Sequence, residues 1–270
     1  MYEILSALSP GSIVLDLGSG SGSFDSSALP LTVVRADIDM QHSVKRNLVN
    51  CRASQLPFAR GSFKALVLNH SLEHFDHLMD CIGEMARVLA DGGFLYIAVP
   101  DASTFTDRVY RWLGRGGGHV NLFSSVRTVP HLVTARTGLK HAGTRTLCTS
   151  LSFLNRKNIT SRVPRKLLLF CYGNESFLRF LTFALRKIDH LLGWRSSVYG
   201  WAFYFGNVRT PENTAWSNVC VRCGSGHPSA LLKQSGTVRK RHLLPPVYPC
   251  PQCRTENFFT DDEDLRHLRA

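Results

Sequence analysis

The sequence predicts an α/β protein built on a doubly wound, mostly parallel sheet, followed by a small cysteine-based module. Three observations carry this reading. Short apolar runs rich in β-branched residues recur along the first hundred residues, with loops and a helix between them, as expected of strands buried on both faces. The first such run passes straight into a glycine-rich turn. Near the end of the 270-residue chain, two Cys-x-x-Cys pairs lie close together.

Residues 12–17 (SIVLDL) read as the first buried strand, running into Gly18-Ser19-Gly20-Ser21-Gly22-Ser23. Glycines there let the backbone turn sharply and let a ligand lie against main-chain amides. A second strand, 31–36, ends at Asp37, with Asp39 beyond it. Asp37 lies 21 residues after Asp16, where a doubly wound fold places the acid that bonds a ribose hydroxyl. A third strand, 65–68, leads into Asn69-His70-Ser71-Leu72-Glu73-His74-Phe75. A helix fits 78–89, with Leu78, Ile82, Met85, Ala86 and Leu89 on one face. It is expected to stop at Asp91-Gly92-Gly93, glycines suited to a helix C-cap. A fourth strand, 94–99, ends at Pro100-Asp101. Such an order places a ligand at the C-terminal ends of the strands.

The blocks VLDLGSGSGSF, ADID, QLPFARGSF, LVLNHSLEHF and RVLADGGFLYIAVPD, in this order and spacing, resemble the class I S-adenosylmethionine (SAM) dependent methyltransferases, a Rossmann-like family. The likeness is greatest to the branch that includes ubiquinone and small-molecule methyltransferases. It extends over roughly 10–145, including 118–124 and 139–143. The resemblance implies that Asp16, Gly18, Gly20 and Gly22 form the turn against the methionine part of SAM and that Asp37 holds the ribose hydroxyls. It implies further that Ala53 and Leu56 flank the adenine, with Asn69 and His70 beside the reactive end. Two positions depart from the family pattern. Arg52 stands where an acid usually precedes the Leu-Pro-Phe motif, and Lys64 stands where an acid often follows the phenylalanine. Arginine cannot accept the adenine amino group's hydrogen bond, so backbone groups, Ser54 or Gln55 would have to replace the acid.

Beyond Asp101 the chain is expected to choose the substrate. Residues 107–113 suggest a short helix, and Gly114-Arg115-Gly116-Gly117-Gly118 a loop that is either a lid or a plain connection. His119 and His70 are the candidates for a general base, since histidine titrates near neutrality. Residues 162–193 read as an insertion. Within it, 176–192 suggests an amphipathic helix with Phe177, Leu181, Ala184, Ile188 and Leu191 on one stripe and Arg179, Arg186 and Lys187 mainly off it. Such a helix packs on its own sheet, lies in a membrane interface or covers an acyl chain. Residues 198–208 read as the closing strand.

The net charge of +12 is unevenly spread: −4 over 1–103, +14 over 104–209 and +2 over 210–270. The basic excess predicts an anionic partner or a solvated face. Residues 210–218 read as a linker and 219–260 as the second module, in which Cys220, Cys223, Cys250 and Cys253 provide the four-thiolate set of a structural zinc site. This module resembles a zinc ribbon. Residues 261–270 read as an acidic tail. The methyltransferase domain would then occupy 1–209, with SAM on 10–101, a substrate and lid part at 102–197 and the closing strand at 198–208.

The N-terminus lacks a signal peptide's basic start and apolar core. The longest apolar stretch of the C-terminal half, about 167–172, is far short of a membrane span of roughly 20 residues. A cytoplasmic protein is expected, with peripheral membrane contact through 162–193 as one option. The expected activity is methyl transfer from SAM to an oxygen or nitrogen of an anionic or amphiphilic small molecule, such as a glycan precursor, a lipid-linked saccharide or a quinone-like compound. The alternatives are an RNA methyltransferase using the basic segment and the ribbon, and a non-catalytic scaffold. The ribbon leaves room for a protein partner.

Overall fold

A computed structural model describes residues 1–20, 22–27, 29–39, 47–113, 118–155, 173–208, 215–240 and 244–268. In chain order the elements are α1 (Tyr2–Leu5), β1 (Ile13–Leu17), β2 (Thr32–Asp37), β3 (Leu48–Asn50), β4 (Phe63–Asn69), a 3-10 turn (Leu72–His74), α2 (Leu78–Val88) and β5 (Leu89–Pro100). There follow α3 (Phe105–Leu113), α4 (Thr128–Thr137), β6 (His141–Cys148), a 3-10 turn (Ser152–Leu154), α5 (Glu175–Leu192) and β7 (Val198–Gly206). The remainder holds β8 (Asn218–Val219), β9 (Gly226–His227), α6 (Ser229–Gln234), β10 (Val247–Pro249), β11 (Glu256–Phe258) and a 3-10 segment (Asp262–Leu268). The chain forms two compact units. The first comprises Met1–Asp101, His119–Thr144 and Trp201–Asn213, and the second Ala102–Gly118, Arg145–Gly200 and Thr214–Ala270.

The sheet has seven strands in the order β3-β2-β1-β4-β5-β7-β6. The pairs β2–β3, β1–β2, β1–β4 and β4–β5 are parallel, so the predicted doubly wound, mostly parallel α/β class holds. Leu15, Leu17, Leu66, Leu68, Ile97 and Phe203 point into one core with Ile82 and Met85 of α2 and Val129 and Val133 of α4. Their neighbours of opposite parity, Val14, Ala65, Val67, Tyr96 and Tyr204, are buried too, which is why these strands read as continuous apolar runs. Each fully buried Leu or Phe contributes about 1.5–3 kcal/mol of transfer free energy.

Two local features differ from the sequence expectation. α2 does not end at the glycines: Leu89 already has extended backbone (φ −73°, ψ 131°) and pairs with Phe63 as the first residue of β5. Asp91-Gly92-Gly93 instead forms an irregular stretch within that strand, where the register with β4 shifts. Second, β3, α4 and β6 are additional elements. Between β1 and β2 the described residues contain no helix; buried Phe24 packs there against Tyr2, ring centroids 6.2 Å apart.

In the second unit α5 spans nearly the predicted residues but presents another face. Leu178, Thr182, Arg186 and Asp189 are buried, whereas Phe180, Ile188, Leu191 and Leu192 are exposed. Arg186, only 1% exposed, donates to the carbonyls of Thr149 (2.5 Å), Ser217 (3.0 Å) and Ser197 (3.5 Å). Asp189 accepts from the amides of Ser196 (2.7 Å) and Ser197 (2.8 Å) and from the Ser197 hydroxyl. A buried ionic face of this kind is stable only because each charge is fully hydrogen-bonded.

The cysteine-bearing segment does not stand apart from α5. Val221 between the first pair of cysteines packs with Leu151, Leu154 and Leu178. Arg222 forms a bidentate pair with Glu175 at the start of α5 (2.5 and 2.6 Å), and Arg179 pairs with Glu256 at 2.7 Å. Of the expected linker, 210–214 lies outside the described residues; Ala215, Ser217 and Asn218 are buried. The expected acidic tail is structural instead: Asp262 accepts from the amides of Ser217 (2.7 Å) and Ser229 (2.6 Å), while Leu265 and Leu268 are buried beside Cys148 and Val198. Among the described residues no helix is long and apolar enough to cross a membrane.

Candidate functional site

The C-terminal ends of β1, β2 and β4 converge on the glycine-rich turn. Asp16, fully buried, accepts from the Ser23 amide (3.0 Å) and hydroxyl (2.5 Å) and so ties the far side of the turn back to β1. The amides of Gly18 and Ser19 donate to the Ala36 carbonyl at 2.8 and 3.2 Å, and Gly22 closes a turn onto the Ser19 carbonyl at 2.6 Å. Gly18 has φ +68°, and a Cβ there would collide with buried Ser71, whose hydroxyl donates to the Leu17 carbonyl at 2.9 Å. Gly20 (φ +47°) faces open space. Its amide donates to Asp37 Oδ2 at 2.7 Å, and the Asp39 amide donates to Oδ1 at 2.9 Å. The turn and the acid at the end of β2, 17 residues apart, are thus held together directly.

Ala53 is half-buried and Leu56 buried, in a loop fixed by a pair that sequence reading missed. Glu84 of α2 accepts from the Leu56 amide (2.8 Å) and from Arg87 Nε (2.7 Å), while Arg87 also donates to the carbonyls of Leu56 (2.8 Å) and Phe58 (2.7 Å). The hydrogen bond from Arg87 holds the Glu84 carboxyl below its usual range. The signal was an acid three residues before an arginine on a predicted helix. Arg52 is exposed, and Lys64 sits at the start of β4, its Nζ 3.4 Å from the Asp91 carbonyl and at the opposite end of the strand from Asn69.

Asn69 closes β4, and His70 follows it in left-handed backbone (φ +56°) with its amide on the Ala98 carbonyl at 2.9 Å. Burial, with electrostatic repulsion from His119 and His74, pushes the His70 imidazole down to about 4. At neutral pH this ring is uncharged and a weak base, which removes one reason for preferring it as the general base. His119 lies beside His74, ring centroids 5.0 Å apart at 73°. The amides of Val120 and Asn121 donate to the Glu73 carbonyl (2.8 and 2.9 Å), and the Asn121 side chain donates to the Phe75 carbonyl at 2.8 Å. One ligand atom from each of Glu73, His74 and His119 lies within 4.8 Å of the others. Neither Glu73 nor His74 was singled out in the sequence, although both lie in the quoted Asn69–Phe75 string. Residues 114–117, the body of the loop expected as a lid or a plain connection, lie outside the described residues.

The four cysteines Cys220, Cys223, Cys250 and Cys253 converge with all sulfurs within 4.8 Å of one another. Each pair forms the turn of a small antiparallel hairpin, β8–β9 or β10–β11. The two turns repeat one hydrogen-bond pattern. Cys220 N donates to Ser225 O (2.9 Å) and Gly224 N to Cys220 O (3.0 Å); Cys250 N donates to Thr255 O (2.8 Å) and Arg254 N to Cys250 O (2.9 Å). Sulfur separations of 3.5 Å (Cys220–Cys253) and 3.7 Å (Cys223–Cys250) are far too long for disulfides. They match the roughly 3.8 Å edge of a tetrahedron with 2.3 Å metal–sulfur bonds. Hydrogen bonds from its cysteine neighbours push the Cys223 thiol down, while those made by Cys220 push that thiol up.

A parallel sheet whose first strand feeds a glycine turn braced by an acid on the second is the fold of the class I SAM-dependent methyltransferases. Residues 15–97 match the family model described as a methyltransferase domain. The segment 15–97 is thus a methyltransferase domain on a Rossmann-like α/β fold. Among solved structures, a SAM-dependent methyltransferase from Archaeoglobus fulgidus superposes with a TM-score of 0.52 at 15% identity, over 76% of this chain and 89% of that one. A protein described as a methyltransferase from an antibiotic biosynthesis pathway of Anabaena variabilis gives 0.50 at 18% identity, over 75% and 93%. At such identities the likeness concerns the fold alone. No curated protein sequence matches the chain.

Proposed function

We propose that this chain transfers a methyl group from SAM to an oxygen or nitrogen of an anionic or amphiphilic small molecule. The supporting observation is the placement of charge. The second unit carries 21 Lys/Arg against 8 Asp/Glu (+13), and the first unit 11 against 12 (−1). The unit with the basic excess also exposes Phe180, Leu191, Leu192 and Trp194, side chains suited to an acyl or isoprenoid chain or to a membrane interface. When bound, SAM supplies a methyl on a positively charged sulfur. Gly18, Gly20 and Gly22 would give close backbone approach, Asp16 would fix their turn, and Asp37 would hold the ribose hydroxyls. Ala53 and Leu56 would flank the adenine, with Asn69 beside the reactive end. His119, rather than His70, would take the acceptor's proton. The open side of Gly20, where a Cβ would meet nothing, fits a ligand lying against the turn.

The test is transfer of radiolabelled methyl from SAM into cell extract separated into lipid, small-molecule, RNA and protein pools. Label is expected in the lipid or small-molecule pool and is expected to fall at least tenfold with Asp37→Ala. Label in RNA instead would move the function to nucleic acid. SAM binding with no label in any pool would favour a scaffold.

We also propose that the four cysteines hold one structural zinc ion, since their sulfur spacing and paired turns fit a tetrahedral thiolate site. Metal analysis of the purified chain is expected to find about one zinc per molecule. Cys250→Ser is expected to lose it together with several kcal/mol of stability. Full zinc retention in that variant would reject the site.

A further inference from the structure

The geometry points to a second metal site, and we propose that Glu73, His74 and His119 bind a divalent first-row transition-metal ion that takes an oxygen of the methyl acceptor as a further ligand. The donor set is two imidazoles and one carboxylate, which leaves coordination positions open for water or substrate. Two imidazoles favour iron(II), cobalt(II) or zinc over magnesium, which prefers oxygen ligands. The donor atoms lie within 4.8 Å of one another. Ligands of a common ion at about 2.1 Å sit about 3.0–3.4 Å apart, so side-chain rotation of roughly an ångström closes the set.

The backbone that carries them is braced. Glu73 and His74 stand on the 3-10 turn Leu72–His74, and His119 begins the segment whose next two amides both donate to the Glu73 carbonyl. The Asn121 side chain adds bonds to the carbonyls of Leu72 (3.3 Å) and Phe75 (2.8 Å). Glu73 is 1% exposed and fixed, whereas His74 is exposed and provides an entry path. The turn also lies next to the cofactor's proposed position. Ser71, two residues before Glu73, packs under Gly18 and bonds the Leu17 carbonyl at 2.9 Å.

This inference rests on the methyl-transfer reading and narrows its acceptor to an oxygen compound: a hydroxyl, a vicinal diol or a hydroxy acid. With His119 engaged as a ligand it no longer serves as the base; coordination instead lowers the hydroxyl's pKa, and its proton leaves to water. The oxygen lone pair then forms the bond to the methyl carbon as the carbon–sulfur bond breaks. The bonding electrons stay on sulfur, which becomes a neutral thioether.

The experiment is calorimetric and optical titration of the full zinc-loaded chain with cobalt(II), without SAM or acceptor. One cobalt per chain is expected to bind without the thiolate charge-transfer absorption that a cysteine site would give. Affinity is expected to fall at least tenfold in His74→Ala, in which an exposed side chain is removed, and in Glu73→Gln. Zinc content should be unchanged in both. Failure to take up cobalt at millimolar concentration, thiolate-type absorption for all bound cobalt, or unaltered uptake in His74→Ala would each overturn the site. None of these readings depends on methyl transfer, so the metal site and the proposed activity fail separately.

Discussion

Replacing Arg186 by alanine is expected to destabilise the second unit by about 4 kcal/mol, the cost of removing a buried charged donor that makes three hydrogen bonds. The guanidinium reaches the carbonyls of Thr149, Ser197 and Ser217, which belong to three separate segments of the chain. Three hydrogen bonds from a charged donor at about 1.5–3 kcal/mol each set the scale, reduced because the Ser197 and Ser217 carbonyls keep backbone donors, Thr149 N at 2.8 Å and Val219 N at 3.1 Å. Lysine is a poor substitute, because its single ammonium lacks the planar fork that serves carbonyls in different directions. The neighbouring Lys187→Ala removes a half-exposed pair with Asp264 and is expected to cost within about 0.5 kcal/mol. Urea unfolding of the three proteins, followed by intrinsic fluorescence, measures the contrast. A loss below 1 kcal/mol for Arg186→Ala would mean that the buried carbonyls are satisfied without the guanidinium.

The same residue shows where sequence reading stops. Apolar periodicity in α5 selected Phe177, Leu181, Ala184, Ile188 and Leu191, and the helix was found at nearly the expected bounds. The face was not, because the buried stripe carries Thr182, Arg186 and Asp189, whose partners are backbone groups 7 to 37 residues away. No local pattern encodes an acceptor supplied by a distant carbonyl. By contrast, β1, β2, β4 and the second half of β5 were legible, since burial on both faces demands continuous apolar runs. The glycines after α2 misled for a related reason: a helix C-cap and an irregular strand start both ask for glycine, and only the pairing of Leu89 with Phe63 separates them. In the site, the turn and Asp37 were readable because their spacing follows from the strand order. The convergence of His74 with His119, 45 positions away in sequence, depends on the bonds of Val120 and Asn121 to Glu73, which a single sequence does not display. The cysteine pairs were readable at once, as two-residue spacing is the geometry of the turn itself.

Gly18→Ala is expected to abolish SAM binding within the measurable range, a loss of at least a hundredfold, and to cost the first unit about 3 kcal/mol. Two terms add. A non-glycine residue at φ +68° carries about 1–2 kcal/mol of backbone strain. The new methyl also falls inside van der Waals contact with the Ser71 Cβ, and forcing an extra methyl into a packed site costs about 1–3 kcal/mol. Ser71 cannot yield easily, since it is buried and holds the Leu17 carbonyl. Displacement therefore falls on the turn, which carries the Gly20 amide bonded to Asp37. Gly20→Ala separates the two causes. Its Cβ meets no protein atom, so only strain of about 1–2 kcal/mol is expected from folding. If the ligand lies on that open side, SAM affinity should still fall tenfold or more. The double variant Gly18→Ala/Ser71→Gly removes the clash but not the strain, and it should recover about half of the lost stability. Thermal unfolding gives the stability and equilibrium titration with SAM the affinity. Normal SAM binding by both single variants would place the cofactor away from this turn. Normal stability of Gly18→Ala would mean that β4 moves aside to admit the methyl.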